Sequence, residues 1–393
     1  MIRTAGVVTP LLAVLIGLAG CSSPASPPAA SAPASESPVG DVPAPTLAVG
    51  SGDQSRSGAA WEQPLTLHLA NGTLTDVVVL DPDGTSFPGA LVDDATWRSE
   101  EGSLLPAATY RVTATARDVA GASRPVTLAV HTTPAERILH ARLSPGDGDV
   151  VGIGQPVVIT LNHPVTVAAD RAAFVQRLSV ATVPAVTGAW RWVENNELHY
   201  RGPTYWSAGT TIAVRSNLRR LHLSDGSWGS GVRTTAYRVG DAVVSTVDVT
   251  AHVMTVRRNG KVIRVAKVST GRDKYPTKGG VHLVLEKTRL KIMDSETVGI
   301  PRKSPDGYYE KVPFSVRISY GGAFVHSADW SLRDQGVRNV SHGCVNMSPA
   351  DARWFFGLAR RGDVVDVVHS NAPPVLYDPG TSDWNIPFSA WAN

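Results

Sequence analysis

From about residue 58 onward the chain is dominated by alternation of apolar and polar residues rather than by a helical period. Leu65, Leu67 and Leu69 alternate with Thr66, His68 and Ala70 and run into the turn pair Asn71-Gly72. Val77-Val78-Val79-Leu80 ends at Asp81-Pro82-Asp83-Gly84, and Tyr110, Val112 and Ala114 alternate with Arg111, Thr113 and Thr115. Short period-two runs with turn signals every roughly 8–12 residues predict a β-sandwich over 58–134. A second unit is expected over 135–240. Its clearest strands are Val157 to Leu161, Ala189 to Val193 and Thr211 to Val214. Neither unit contains a cysteine, so neither holds an internal disulfide.

A third region, 241–370, opens on the strongest hairpin signal. Val253 to Val256 and Val262 to Val265 flank Asn259-Gly260, a pair suited to a type I′ turn. Further strands are expected at Val281 to Leu285, Phe314 to Ile318 and Val364 to Val368. Before the last of these comes one helix, with Ser348 as N-cap, Pro349 at its first position, Asp351 at its third and Gly362 beyond its end. The region reads as a mostly β domain, followed by a C-terminal extension over 371–393.

The amino-terminal end has a different character. Arg3 supplies a positive charge, and Val7 to Leu18 is an apolar run broken only by Thr9, Pro10 and Gly17. A bilayer span needs about 20 apolar residues, so the run reads as a signal-peptide core over 1–20. It ends in Leu18-Ala19-Gly20-Cys21, which resembles the bacterial lipobox, in which the cysteine is lipidated. The alternative is an ordinary secretory peptide cleaved near Ala19. Residues 21–57 are rich in Ala, Pro and Ser, cannot bury enough apolar area to offset chain entropy, and are expected to form a disordered tether. The resulting expectation is a protein anchored by lipid on the outer face of the cell membrane and reaching into the periplasm or cell wall.

Composition adds limits. The chain has 393 residues, 36 Gly and 28 Pro, which favours strands and turns over long helices. A net charge of +3 is too small for this length to argue for nucleic acid, while a pI near 8.9 suits an anionic wall or membrane surface. His68, His131, His140, His163, His199 and His222 are scattered without ligand spacing and read as structural or surface residues.

The chemistry centres on the second of two cysteines, in Ser341-His342-Gly343-Cys344-Val345-Asn346. A glycine before the cysteine lets the backbone approach a substrate. The following helix N-terminus could favour both thiolate and oxyanion. An ordinary thiol, with a pKa of ~8.5, is only a few per cent thiolate at neutral pH and needs a base. His326 lies eighteen residues upstream, at the end of a strand-like run. The competing readings are an inert buried cysteine, or a metal site made from His326, His342 and Cys344 that lacks a fourth ligand at the usual spacing.

His326, a fourteen-residue gap and then Ser341 to Asn346 resemble the signature of the L,D-transpeptidase (YkuD) catalytic domain. With the lipobox, the two sandwich units and Ser382-Asp383-Trp384-Asn385-Ile386-Pro387, the resemblance extends to mycobacterial members with two immunoglobulin-like modules. Tyr275-Pro276-Thr277-Lys278-Gly279 departs from the pattern, with Tyr where many members have Thr. The resemblance implies Cys344 as nucleophile, His326 as general base and Ser327 as the residue whose carbonyl orients the imidazole. It puts His342 in the pocket and Gly343 and Cys344 amides in the oxyanion hole, with Ser341 and Asn346 holding substrate or loop. Tyr308 matches a flap tyrosine on a flap from about Leu290 to Pro313, and Met293 and Trp330 match residues lining the substrate path. Read without the resemblance, His342 could simply support the turn, Tyr308 could be an exposed loop aromatic, and Met293 and Trp330 could be core.

The implied reaction is peptidoglycan 3→3 cross-linking through a cysteine thioester. A tetrapeptide stem is the donor, a diaminopimelate amine the acceptor, and D-Ala is released. No metal or organic cofactor is required, and carbapenems are expected to acylate Cys344. Water as acceptor would make the same site an L,D-carboxypeptidase. The readings from other classes are a non-catalytic wall-binding lipoprotein and a sortase-like or papain-like transferase.

Overall fold

The computed structural model describes residues 43–50, 59–61, 63–100, 104–376 and 382–392. Cys21 and the expected signal peptide lie outside them. The first sandwich places strands Thr46–Val49, Thr66–Ala70, Thr96–Ser99 and Gly89–Leu91, in that spatial order, over a sheet of Gly72–Leu80, Thr109–Asp118 and Ser123–His131. Burial follows the alternation in the sequence: Leu65, Leu67 and Leu69 are buried, as are Tyr110, Val112 and Ala114. Leu67 and Trp97 from one sheet meet Val79 and Val130 from the other in a shared core. The Tyr110 hydroxyl accepts from the Leu105 amide at 2.7 Å, a corner device known from immunoglobulin-type sandwiches.

The stretch expected to be tether as far as residue 57 departs from that reading at Thr46–Val49, which pairs antiparallel with Thr66–Ala70. The physical reason is local: Leu47 and Val49 alternate, and both pack against the sandwich core.

The second sandwich stacks Val150–Val151, Val232–Val239, Thr211–Asn217 and Leu178–Val183 against Ala189–Glu194, Glu197–Arg201, Val157–Leu161 and Ala141–Ser144. A helix at Ala168–Val175, not foreseen from the pattern, is anchored in this core by one buried residue, Phe174. Asp81 pairs with Arg220 and Asp83 with Arg219, linking the two modules.

The third region is a nine-stranded sheet. Its strands are β1 (Val243–Asp248), β2 (Val253–Arg258), β3 (Lys261–Ser269), β4 (Gly280–Leu283), β5 (Glu286–Asp294), β6 (Tyr309–Arg317), β7 (Phe324–Ser327), β8 (Val345–Met347) and β9 (Val364–Val368). Their spatial order is β4-β9-β1-β2-β3-β8-β7-β6-β5. Asn259 (φ 49°) and Gly260 (φ 80°) both take the left-handed conformation that a type I′ turn requires. The helix Pro349–Leu358 has its predicted cap, with Ser348 accepting from the Asp351 amide. Phe355 and Ala352 seat it on the sheet with Val316, Val325 and Val345.

The second sandwich and the nine-stranded sheet share one core. Val151, Ile153 and Trp206 from the sandwich cluster with Leu283 and Val364 from the sheet. Gly152 donates to the Arg361 carbonyl at 2.7 Å and Gly154 to that of Gly362 at 2.9 Å. A Cβ at Gly152 would lie 2.1 Å from the Asp363 amide nitrogen, so only glycine allows this approach.

The C-terminal extension closes the junction. Trp384 donates to the Gly154 carbonyl at 2.7 Å, Asn385 bonds both backbone groups of Val281, and Arg201 donates to the Ile386 carbonyl at 2.6 Å. His199, fully buried, bonds Asp383 at 2.8 Å through Nδ1 and Glu197 at 2.9 Å through Nε2. Burial opposes its charge, but the two carboxylates outweigh that and push its pKa up to about 9. The sign follows: a raised folded pKa contributes stability that is full below about 6.5 and is lost as pH rises through about 9. Chemical denaturation at pH 6 and pH 9 should show wild type losing more stability over that interval than His199→Gln. Equal losses in the two proteins would remove His199 from this account.

Candidate active site

Two short parallel strands build the centre of the site. β7 and β8 pair with Val325 opposite Val345, His326 opposite Asn346 and Ser327 opposite Met347. Cys344 directly precedes β8 and shares Asn346's side of it, because side chains alternate with period two. His326 and Cys344 are thereby brought to one wall despite the residues between them.

The approach to Cys344 is fixed by its backbone. Gly343 has φ 113°, a conformation that residues with a Cβ rarely adopt. Its N–H donates to Ser341 Oγ at 3.1 Å, Ser341 Oγ donates to the Cys344 carbonyl at 2.7 Å, and Thr277 Oγ1 donates to the Gly343 carbonyl at 2.9 Å. In a trans peptide the N–H points opposite to the carbonyl, so the Cys344 amide faces away from Thr277. The Gly343 amide is therefore spent on Ser341. This departs from the expectation that it joins the oxyanion hole, and leaves the Cys344 amide as the backbone candidate.

His326 is 3% exposed, and its Nδ1 lies 2.9 Å from the Ser327 carbonyl. A carbonyl only accepts, so Nδ1 carries the hydrogen and neutral His326 presents a lone pair at Nε2. Burial pushes its pKa down to about 4, with the Ser327 carbonyl pulling weakly the other way. Burial also pushes the Cys344 thiol up to about 11, offset in part by a backbone hydrogen bond at Phe324. The thiol contacts the Gly322 carbonyl at 3.8 Å. Burial thus works against charge on both side chains.

The helix N-terminus expected to assist Cys344 does not adjoin it. β8 stands between Cys344 and the helix that starts at Pro349. A strand of this length spans roughly 10 Å, and a helix's terminal charge fades within about one turn.

A cavity of about 240 Å³ opens on this wall. Met293, Tyr308, His326, Trp330, Ser341, His342, Cys344 and Asn346 line it, together with Glu310 and Val340. Ser327 and Gly343 act from behind, through the carbonyl and the loop described above. Trp330 is 52% exposed with its ring 6.0 Å from that of His326, so it is not core. The Asn346 side chain is buried and donates to Ser331 Oγ at 3.2 Å, bracing the loop after β7.

Tyr308 belongs to the connection between β5 and β6 and is no free loop aromatic. Its ring lies 5.0 Å from that of His342. Burial, then the nearby Cys344, push its hydroxyl up to about 12, so it stays a hydrogen-bond donor. His342 Nε2 lies 2.9 Å from Arg272 Nη2, and since a guanidinium only donates, Nε2 is an acceptor there. Burial, then Arg272, lower the pKa of His342. Met293, partly buried, pairs in register with Glu310 across the β5–β6 hairpin.

Sequence reasoning missed Glu310, Arg272 and Asp306. Glu310 carries a signal in retrospect, since it lies two residues beyond Tyr308 and so on the same face of β6. Its carboxyl is raised by burial, then by Asp329. Arg272 and Asp306 carried none, because their meeting depends on how two distant loops pack.

A mainly β chain with two immunoglobulin-type sandwiches and a cysteine–histidine wall at the meeting of two parallel strands defines a class, and comparison with known proteins agrees. The bacterial Ig domain family matches residues 56–222, and the L,D-transpeptidase catalytic domain (YkuD) matches residues 242–367. L,D-transpeptidase 2 of Mycobacterium tuberculosis is 35% identical over 382 residues, covering 97% of this chain and 92% of that protein. L,D-transpeptidase 1 of the same organism is 38% identical over 228 residues, covering 58% of this chain and 84% of that protein. The solved structure of LdtMt1 in complex with imipenem superposes with a TM-score of 0.52 at 36% identity, covering 59% of this chain and 99% of that one. The chain belongs to the L,D-transpeptidase family.

The shifted thiol gives a direct test. Alkylation of Cys344 by iodoacetamide should keep accelerating through pH 9 toward about 11. A plateau near pH 8.5 would show an unperturbed thiol and contradict the burial argument.

Proposed function

We propose that this chain is a peptidoglycan L,D-transpeptidase that forms 3→3 cross-links through a thioester on Cys344. The observation that carries the reading is that Cys344, His326 and Tyr308 line one cavity, with His326 presenting Nε2 as its free lone pair.

Because burial disfavours charge on either the thiol or the imidazole, proton transfer accompanies attack. Cys344 Sγ bonds to the carbonyl carbon of the donor stem's third residue while its proton passes to His326 Nε2. The developing oxyanion takes hydrogen bonds from the Cys344 amide and the Tyr308 hydroxyl, charge stabilisation worth on the order of 10²–10³ in rate per donor. Collapse breaks the C–N bond, and His326 returns its proton to the departing D-Ala amine. An acceptor amine, on diaminopimelate by analogy with the family, then attacks the thioester and loses its proton to His326. Sγ leaves and is reprotonated from the same imidazole. Water in place of the amine would give L,D-carboxypeptidase activity. Excluding it is a task suited to the flap that carries Tyr308.

The imipenem complex of LdtMt1 supports carbapenems as acylating inhibitors here. Intact-mass analysis with a carbapenem should show one adduct on the wild type and none on Cys344→Ala. His326→Ala should slow adduct formation by about 10²–10⁴-fold. An adduct that survives in Cys344→Ala would end the assignment.

The site's placement outside the cell rests on Leu18-Ala19-Gly20-Cys21 after an apolar run. In this reading the protein is a lipoprotein held at the membrane by Cys21, and the sandwich modules carry the catalytic sheet toward the wall. Metabolic labelling with a palmitate analogue should mark the wild type and not Cys21→Ala. Equal labelling of both would refute the anchor.

A further inference from the structure

Three segments distant in sequence converge on one carboxylate beside the active site. The flap between β5 and β6 supplies Asp306. The segment between β3 and β4 supplies Arg272, Lys274 and Tyr275. Arg272 Nη2 pairs with Asp306 Oδ1, Lys274 Nζ lies 2.5 Å from Asp306 Oδ2, and the Tyr275 hydroxyl donates to Oδ2 at 3.0 Å. The third segment is the nucleophile's loop. Arg272 Nη2 also donates to His342 Nε2 at 2.9 Å. The Tyr275 ring fills the gap, 5.0 Å from the His342 ring and 5.0 Å below the Arg272 guanidinium.

Asp306 stands two residues before Tyr308. The Tyr308 backbone is pinned at the base of the flap, where its N–H donates to Ser295 Oγ at 3.1 Å and its carbonyl accepts from the Ser295 amide at 3.0 Å. Within the flap Arg302 pairs with Asp294, and Asp306 with its partners ties the flap to the segment between β3 and β4. One planar guanidinium, with its donors in a fixed fork, reaches both the flap and the His342 loop, which a single ammonium point charge does less well.

We propose that Arg272 is a positioning residue of the active site, a latch that fastens the Tyr308 flap through Asp306 and the Cys344 loop through His342. The inference rests on the acyl-transfer reading of Cys344 and Tyr308 given above. The latch sets the distance between the oxyanion donor on the flap and the nucleophile on the sheet. The ion pairs are half-exposed (side-chain exposure 31% for Arg272, 21% for Asp306), and pairs so placed are weak. The flap is therefore closed at rest but cheap to open, as a site must be that admits a stem peptide and then a second amine. Tyr275, where many family members carry Thr, contributes the ring and hydroxyl that complete the latch in this chain.

A surface ion-pair network that merely stabilises the fold would show in thermal stability and would not couple to Tyr308. The test is a mutant cycle on the full chain, read as the rate constant for carbapenem acylation together with kcat and KM on a disaccharide-tetrapeptide. Arg272→Met should slow acylation about three- to tenfold, with the thermal midpoint moving by less than about 2 °C. Asp306→Asn should give a similar loss, and the double variant no more than either alone. In a Tyr308→Phe background Arg272→Met should cost less than about twofold, because the latch acts through that tyrosine. Arg272→Lys, which keeps a charge for Asp306, should recover part of the rate.

Additive losses, an undiminished effect in Tyr308→Phe, or no loss at all would overturn the latch. So would a loss matched by a fall in thermal midpoint. If Arg272→Met does not fold, Asp306→Asn and its cycle with Tyr308→Phe decide the matter by the same criteria. A wild type that takes no carbapenem adduct would instead remove the acyl-transfer reading itself, and the latch with it.

Discussion

The parallel pairing of β7 with β8 is the constraint on which the rest of the site depends. It sets His326 opposite Asn346, and so puts its imidazole on the wall where Cys344 enters. Parallel neighbours cannot be joined by a tight turn, so a long connection must cross between them. That connection carries Trp330 to the cavity mouth and Ser331 to Asn346, and it ends in the Ser341–Gly343 turn that presents the nucleophile. Both strands are buried, with β3 on one side and β6 on the other. A slip of one residue would turn His326 into the opposite face.

Burial at this wall has a chemical consequence. It pushes the thiol's pKa up and the imidazole's down, so that burial disfavours charge on either. A resting ion pair would leave a reactive thiolate open to oxidants and stray electrophiles. In the proposed reaction the pair becomes reactive when a carbonyl is seated and its developing charge is met by fixed donors. Positioning of those donors therefore matters more here than thiol acidity. This places weight on the flap carrying Tyr308 and on the Cys344 amide, whose direction follows from the Gly343 carbonyl bound by Thr277.

The second sandwich is built into the catalytic sheet and is no detached spacer. Val151, Ile153 and Trp206 share a core with Leu283 and Val364, and the C-terminal extension crosses the seam with Trp384 and Asn385. The imidazolium of His199, held between Asp383 and Glu197, ties that extension into the sandwich. The first module meets the second through Asp81–Arg220 and Asp83–Arg219. Trp61 and Leu105 of the first module also pack on Trp228 of the second, a smaller apolar contact than the core that binds the second module to the sheet.

Much of this was legible in the chain itself, because local patterns carry local physics. Alternation at Leu65, Leu67 and Leu69 and at Tyr110, Val112 and Ala114 determined which face each strand buries. Asn259-Gly260 determined the turn of the β2–β3 hairpin, and Ser348-Pro349 the start of the helix. The Ser341 to Asn346 signature with His326 determined the residues that meet at the site. Other features depended on pairings between distant residues, which no local pattern encodes. The length of β8 set Cys344 away from the helix N-terminus. Ser341 claimed the amide of Gly343, and the core drew Thr46–Val49 into the first sandwich. The convergence of Arg272, Asp306 and His342 was likewise decided only by tertiary structure. Each of the three is an ordinary polar residue in its own segment, and only the packing of flap, loop and strand end makes them one contact.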